Sequence, residues 1–184
     1  SPFAPQVEAY RQLRTSLRFS RPDEELHVLM VTSAYPGEGK TMTSSNLAIV
    51  MAQMGMKTVL VDADLRKPRV HSRFSMNRKP GLVDVLFDQE SLDDGHFDSP
   101  VDNLSIIPVG TATPNPSEVL GSDKMDEFIA RLRREYEFVI LDTAPLFVVA
   151  DSMSLAAKCD ACLTVVGVDE TDGRVVKQTF DRLK

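Results

Sequence analysis

The chain has no surplus of positive charge: 21 lysines and arginines stand against 27 aspartates and glutamates, a formal net charge of −6. A protein whose main partner is nucleic acid needs a basic field to neutralise phosphates, so that class is set aside. Apolar runs are short, none approaching the roughly 20 residues that span a bilayer. The opening stretch, SPFAPQVEAYRQLR, is polar and helical in pattern and lacks the apolar centre of a signal peptide. Cysteine is scarce, at two residues, and histidine at three. So few thiols beside eight methionines suit a reducing compartment, and a cytoplasmic location is expected. Cys159 and Cys162 do form a C-x-x-C. A redox pair places its first thiol at a helix N-terminus, whereas this pair lies between a helical pattern and a strand. Zinc would require two further ligands, and His27, His71 and His96 are scattered singly. Two buried thiols near a strand start are the expectation.

What the sequence does have is a globular composition, 42% apolar over 184 residues, enough for one domain with a real core. Strand-like runs occupy 26–33, 57–64, 103–110, 137–144 and 161–168. They are continuous and β-branched, as in strands buried on both faces. Helical patterns separate them, at 40–54 with Gly55 as the stop, at 117–135, at 151–158 and from about Asp172. Strands alternating with helices predict a mostly parallel central sheet with helices on both faces, and ligands at the carboxyl ends of its strands.

A further helix is predicted over 5–18, with Val7, Tyr10, Leu13 and Leu17 on one stripe. Arg11, Arg14 and Arg18 form the next, with Glu8 beside them. Such a row is either a solvated face carrying an i,i+3 ion pair or a subunit contact built on rigid guanidinium forks. Residues 66–79 are basic, and 84–102 carry seven carboxylates and no lysine or arginine. The acidic run reads as a solvated loop. The basic run follows a strand that ends in aspartates and is a candidate for holding acidic or phosphorylated material.

The stretch SAYPGEGKT, residues 33–41, joins the first strand to the first long helix. Gly37 and Gly39 let backbone N–H groups turn inward and, with the helix N-terminus, form an anion cradle. Lys40 is placed to neutralise β and γ phosphates and the Thr41 hydroxyl to coordinate Mg²⁺. Ala34 stands where such a loop usually has its first glycine. Gly37, Glu38, Gly39, Lys40, Thr41 and Met42 are therefore the predicted nucleotide-binding residues. Phosphoryl transfer also requires carboxylates for the metal and the nucleophile. FVILD delivers Asp142 from one apolar strand end, and TVLVDADLRKP delivers Asp62 and Asp64 from another. Two positions apart, the latter share one side of an extended chain.

SAYPGEGKT, VLVDADLRKP and FVILDTAP resemble the Walker A, Walker A′ and Walker B motifs of bacterial tyrosine kinases, which act in capsule and exopolysaccharide synthesis. EAYRQLRTSLRF resembles the E-x-x-R-x-x-R helix that packs that family's subunits into a ring, and PGLVDVL and TPNPSEVL are similar to other family segments. The resemblance runs from about residue 8 onward. It implies a single P-loop NTPase-like three-layer sandwich over 1–184, with residues 1–20 as an oligomerisation helix. It further implies ATP bound by 37–41, and Mg²⁺ at Thr41 with Asp62 or Asp142. Lys40, Asp62, Asp64 and Asp142 would be catalytic, Asp64 or Asp62 assisting the tyrosine hydroxyl. Glu8, Arg11 and Arg14 would lie at the subunit interface. Implied partners are further copies of the chain, a membrane-embedded activator that brings the domain to the inner face of the cell membrane, a tyrosine-bearing acceptor and a phosphotyrosine phosphatase. The family's last strand and tyrosine-rich tail have no counterpart here. With only Tyr10, Tyr35 and Tyr136 in the sequence, the acceptor is expected elsewhere or trimmed away. A nucleotide-gated assembly module is the second reading. Partitioning ATPases, a third, carry a second lysine where Tyr35 stands.

Overall fold

A computed structural model describes residues 5–20, 25–92, 97–148, 151–168 and 171–183. Its strands are β1 (Val28–Ser33), β2 (Thr58–Asp62), β3 (Leu104–Ile107), β4 (Phe138–Asp142) and β5 (Ala161–Val165). They form one parallel sheet in the order β3-β2-β4-β1-β5. Every residue of β1, β2 and β4 is buried, which is why their sequences are apolar without alternation. The pleat sends successive side chains to opposite faces. Val28, Met30, Val59, Val61, Val139 and Leu141 enter one apolar layer; Leu29, Val31, Leu60, Phe138 and Ile140 enter the other.

Helices cover both layers. In chain order they are α1 (Pro5–Ser20), α2 (Lys40–Gln53), α3 (Val70–Arg73), α4 (Leu82–Leu86), α5 (Pro116–Leu120), α6 (Asp123–Glu135), α7 (Asp151–Ala156) and α8 (Gly173–Arg182). Leu47, Ala48 and Met51 of α2 pack on the second layer, with Val70 of α3 and, outside them, Tyr10 and Leu17 of α1. Met125, Phe128, Ile129 and Leu132 of α6 fill the first, together with α4, Val119 and Leu120 of α5 and Leu155 of α7. This is the three-layer α/β sandwich that the alternating pattern predicts.

Several boundaries move. The helix predicted over 117–135 is two helices, because Ser122 caps α6 by accepting from the Met125 amide at 3.3 Å. Strand β2 stops at Asp62, so Asp64 lies in the loop beyond it rather than on the same strand. Short helix α3 sits inside the basic run, and α4 overlaps the start of the acidic run read as a solvated loop. Cys159 and Cys162 form no disulfide. Both are half-buried rather than fully buried as expected, and desolvation pushes their thiols up to about 12 and about 11. His96 and the side chains of Val7 and Arg18 lie outside the described residues.

Candidate active site

Strand β4 lies between β1 and β2, so the carboxyl ends of three fully buried strands meet at one place. The loop from Ala34 to Gly39 leaves β1 there and turns into α2. Gly37 and Gly39 have φ of 94° and 89°, the left-handed region that side chains disfavour. A Cβ on Gly37 would meet nothing within 4 Å, so conformation rather than crowding calls for glycine. No side chain caps α2, which leaves its first amides available to an anion. Lys40, in the first turn, pairs with Asp64 at 3.3 Å, and the two side chains are only 12% and 4% exposed.

Asp62 and Asp142 are register partners on β2 and β4, with Asp142 also opposite Val31 of β1. The Thr41 hydroxyl donates to Asp142 Oδ2 at 2.6 Å. Asp142 Oδ1 is buried and has no hydrogen-bond partner among the described residues. An orphaned carboxylate oxygen is costly. Burial pushes the Asp142 carboxyl up to about 6, against the opposing pull of Thr41 and Lys40. Burial, then the charge of Asp142, pushes Asp62 up to about 7. Acids crowded this way are poised for a cation. No cluster of three or more metal-ligating residues occurs among the described residues. Mg²⁺ at phosphate sites takes only one or two carboxylates beside phosphate oxygens, so Thr41 and Asp142 fit it.

Asp62 has a second occupation. Its Oδ2 accepts from the Arg69 and Val70 amides at 3.1 and 3.0 Å, and its Oδ1 from Asp64 N at 3.3 Å. Asp64 Oδ1 likewise accepts from Lys67 N at 2.9 Å. The basic run thus reaches the acids through its backbone. Two of its arginine side chains are engaged elsewhere, Arg73 with Asn46 Oδ1 at 3.0 Å and Arg78 with the Gly110 carbonyl at 3.2 Å.

Of the six predicted nucleotide-binding residues, Lys40 and Thr41 present polar side chains to the acids, and Met42 is half exposed. The Glu38 side chain turns the other way. Its Oε2 accepts from Tyr35 N at 2.7 Å and its Oε1 from Gly167 N at 3.4 Å and from the Thr171 hydroxyl. On α1, Arg11 pairs with Glu8 at 3.5 Å on an open face, and Arg14 Nη1 is buried without a hydrogen-bond partner among the described residues. With Gln12, Thr15 and Ser16 these three residues line a groove along the helix. One feature escaped sequence reasoning. The buried Asp84 of PGLVDVL accepts from Gly81 N and from both the amide and the hydroxyl of Thr111, tying α4 to the chain that follows β3.

A strand–glycine loop–helix with a lysine, a hydroxyl and strand-end acids defines a P-loop nucleotide-binding protein. The AAA domain family matches residues 27–172. The tyrosine-protein kinase YwqD of Bacillus subtilis is 39% identical over 165 residues, 90% of this chain and 70% of that protein. The Escherichia coli tyrosine-protein kinase Etk is 35% identical over 97% of the chain, which spans only 24% of its length. The crystal structure of the chimerical protein CapA2B2 superposes with a TM-score of 0.94 at 31% identity, covering 100% of this chain and 80% of that one. The chain belongs to the bacterial tyrosine-protein kinase family.

Proposed function

We infer that this chain is an ATP- and Mg²⁺-dependent protein-tyrosine kinase acting in the control of capsule or exopolysaccharide assembly. The observation that carries the reading is the buried Asp142 Oδ1 with no hydrogen-bond partner among the described residues, beside the Thr41 hydroxyl at the mouth of an uncapped helix. Backbone amides of 37–41 grip the phosphates, and Lys40 exchanges Asp64 for phosphate oxygens. Thr41 and Asp142, faced by Asp62, hold the metal. Mg²⁺ bound there would neutralise charge on the β and γ phosphates and fix their orientation. The Asp62–Asp64 pair accepts the proton of the attacking tyrosine hydroxyl.

The same reading makes 1–184 one kinase unit with residues 1–20 as its oligomerisation helix. Glu8, Arg11 and Arg14 meet a second copy in a ring; an unpartnered buried guanidinium nitrogen on Arg14 supports this, since a neighbouring carboxylate would satisfy it. A membrane-embedded activator holds the unit at the inner face of the cell membrane, and a phosphotyrosine phosphatase reverses the modification. The test supplies Mg·ATP, the activator and a tyrosine-bearing acceptor and measures phosphotyrosine. Wild type is expected to label the acceptor and Lys40→Met to fall by about a hundredfold or more. No labelling by wild type, or equal labelling by the variant, overturns the reading.

A further inference from the structure

Glu38 is an acid inside a loop built for anions, between Gly37 and Gly39. Neither glycine has a side chain with which to hold the tip of the loop, and both leave the backbone permissive. Between the two glycines, Glu38 is the side chain available to hold the tip from outside. Its carboxylate spans the loop and the chain that leaves β5. One oxygen takes the Tyr35 amide, and the other takes the Gly167 amide and the Thr171 hydroxyl. Thr171 N in turn donates to the Gly167 carbonyl at 3.2 Å, which links the two residues that supply these donors. Burial alone would raise this carboxyl, but the hydrogen bonds from Thr171, Tyr35 and Gly167 outweigh it and hold Glu38 below its usual range.

Thr171 stands just before α8, and a second contact involves the far end of that helix. The Tyr35 ring stacks on Phe147 with centroids 5.8 Å apart. The Arg182 guanidinium lies 4.3 Å from the centre of the Phe147 ring and donates to the Leu146 carbonyl at 3.1 Å. Helix α8 is therefore tied to the phosphate loop just before its first turn and again in its last.

We propose that Glu38 is a positioning residue for the nucleotide site: by binding Gly167 and Thr171 it holds the glycine loop in its phosphate-receiving shape and couples nucleotide binding to the docking of α8. Charge favours this direction. A polyphosphate entering the cradle repels a carboxylate that faces it and tolerates one bound on the far side. Nucleotide thus strengthens the Glu38–Thr171 contact, and by linkage the contact strengthens nucleotide binding. The inference rests on the nucleotide site of the proposed function.

The experiment titrates Mg·ADP into wild type, Glu38→Ala, Glu38→Gln, Thr171→Val and the double variant Glu38→Ala/Thr171→Val by calorimetry. Thermal melts select variants that are folded, and Thr171→Val keeps shape where Glu38→Ala loses fold. Amide exchange around Gly167 is followed with and without nucleotide. Glu38→Ala and Thr171→Val are each expected to weaken binding by about tenfold. The double variant should be no weaker than Glu38→Ala, and Glu38→Gln, which keeps one accepting oxygen, should recover part of the loss. Nucleotide should slow exchange at Gly167 in wild type and leave it unchanged in Glu38→Ala. Additive losses, or affinities equal to wild type in both single variants, overturn the inference alone. Wild type that fails to bind Mg·ADP overturns the proposed function and this inference with it.

Discussion

The middle of the sheet and its β5 edge are built differently. Strands β1, β2 and β4 are buried along their whole length and end in Ser33, Asp62 and Asp142. Every residue of β5 is half-buried, and the strand ends in no acid. The difference teaches what each region can do. Charged groups crowded in the middle hold their spacing because two ladders and two apolar layers fix their strands, whereas β5 itself carries no charged residue and can shift at lower cost. The buried acids sit where the chain is over-determined, and displacement costs least where it is not.

The comparison breaks first on core deletions. Ile140→Ala, in a side chain with no exposure, is expected to cost about 2–5 kcal/mol, and Leu163→Ala on β5 less than about 1.5 kcal/mol. Urea unfolding of the two variants measures this, and equal losses would erase the distinction.

A smaller effect sharpens it through pH. Asp62 and Asp142 have carboxyls raised to about 7 and about 6, so the folded protein keeps protons that the unfolded chain releases from about pH 4 upward. Without nucleotide, stability from these groups is fully present at low pH and falls as pH rises through their folded values. Between pH 5.5 and 8 the expected loss is about 2–3 kcal/mol at most. Denaturation curves at both pH values measure it, and Asp142→Asn should flatten the slope. Asp160 and Glu38, held low by their hydrogen bonds, act oppositely and only near pH 4 and below.

The smallest effect concerns the thiols at the edge. With pKa values raised to about 12 and about 11, Cys159 and Cys162 should react with a disulfide reagent at pH 8 roughly a hundredfold more slowly than a free thiol, and at the ordinary rate after unfolding. Fast reaction in folded protein would mean that the edge opens far more often than its packing implies.

The chemistry was legible where it depends on spacing along the chain. Lys40 and Thr41 follow from a glycine loop between strand and helix, and Asp142 from an apolar run that ends in an acid. The alternating pattern runs on to Asp64 because alternation is blind to where pairing stops; the strand ends at Asp62, and Asp64 pairs with Lys40 from the loop beyond. The partner of Glu38 was illegible for a different reason. Thr171 lies 133 residues away, and no local pattern in GEGKT distinguishes an acid that faces the cradle from one that faces outward. Helices α3 and α4 were hidden because four or five residues carry too little periodicity to stand out from a charge run.

The raised thiols of Cys159 and Cys162 have a practical consequence. A cysteine engineered at Arg174, whose side chain is open to solvent, can carry a fluorophore with the two natural cysteines left in place. The position of α8 then becomes an optical readout in an otherwise unaltered protein.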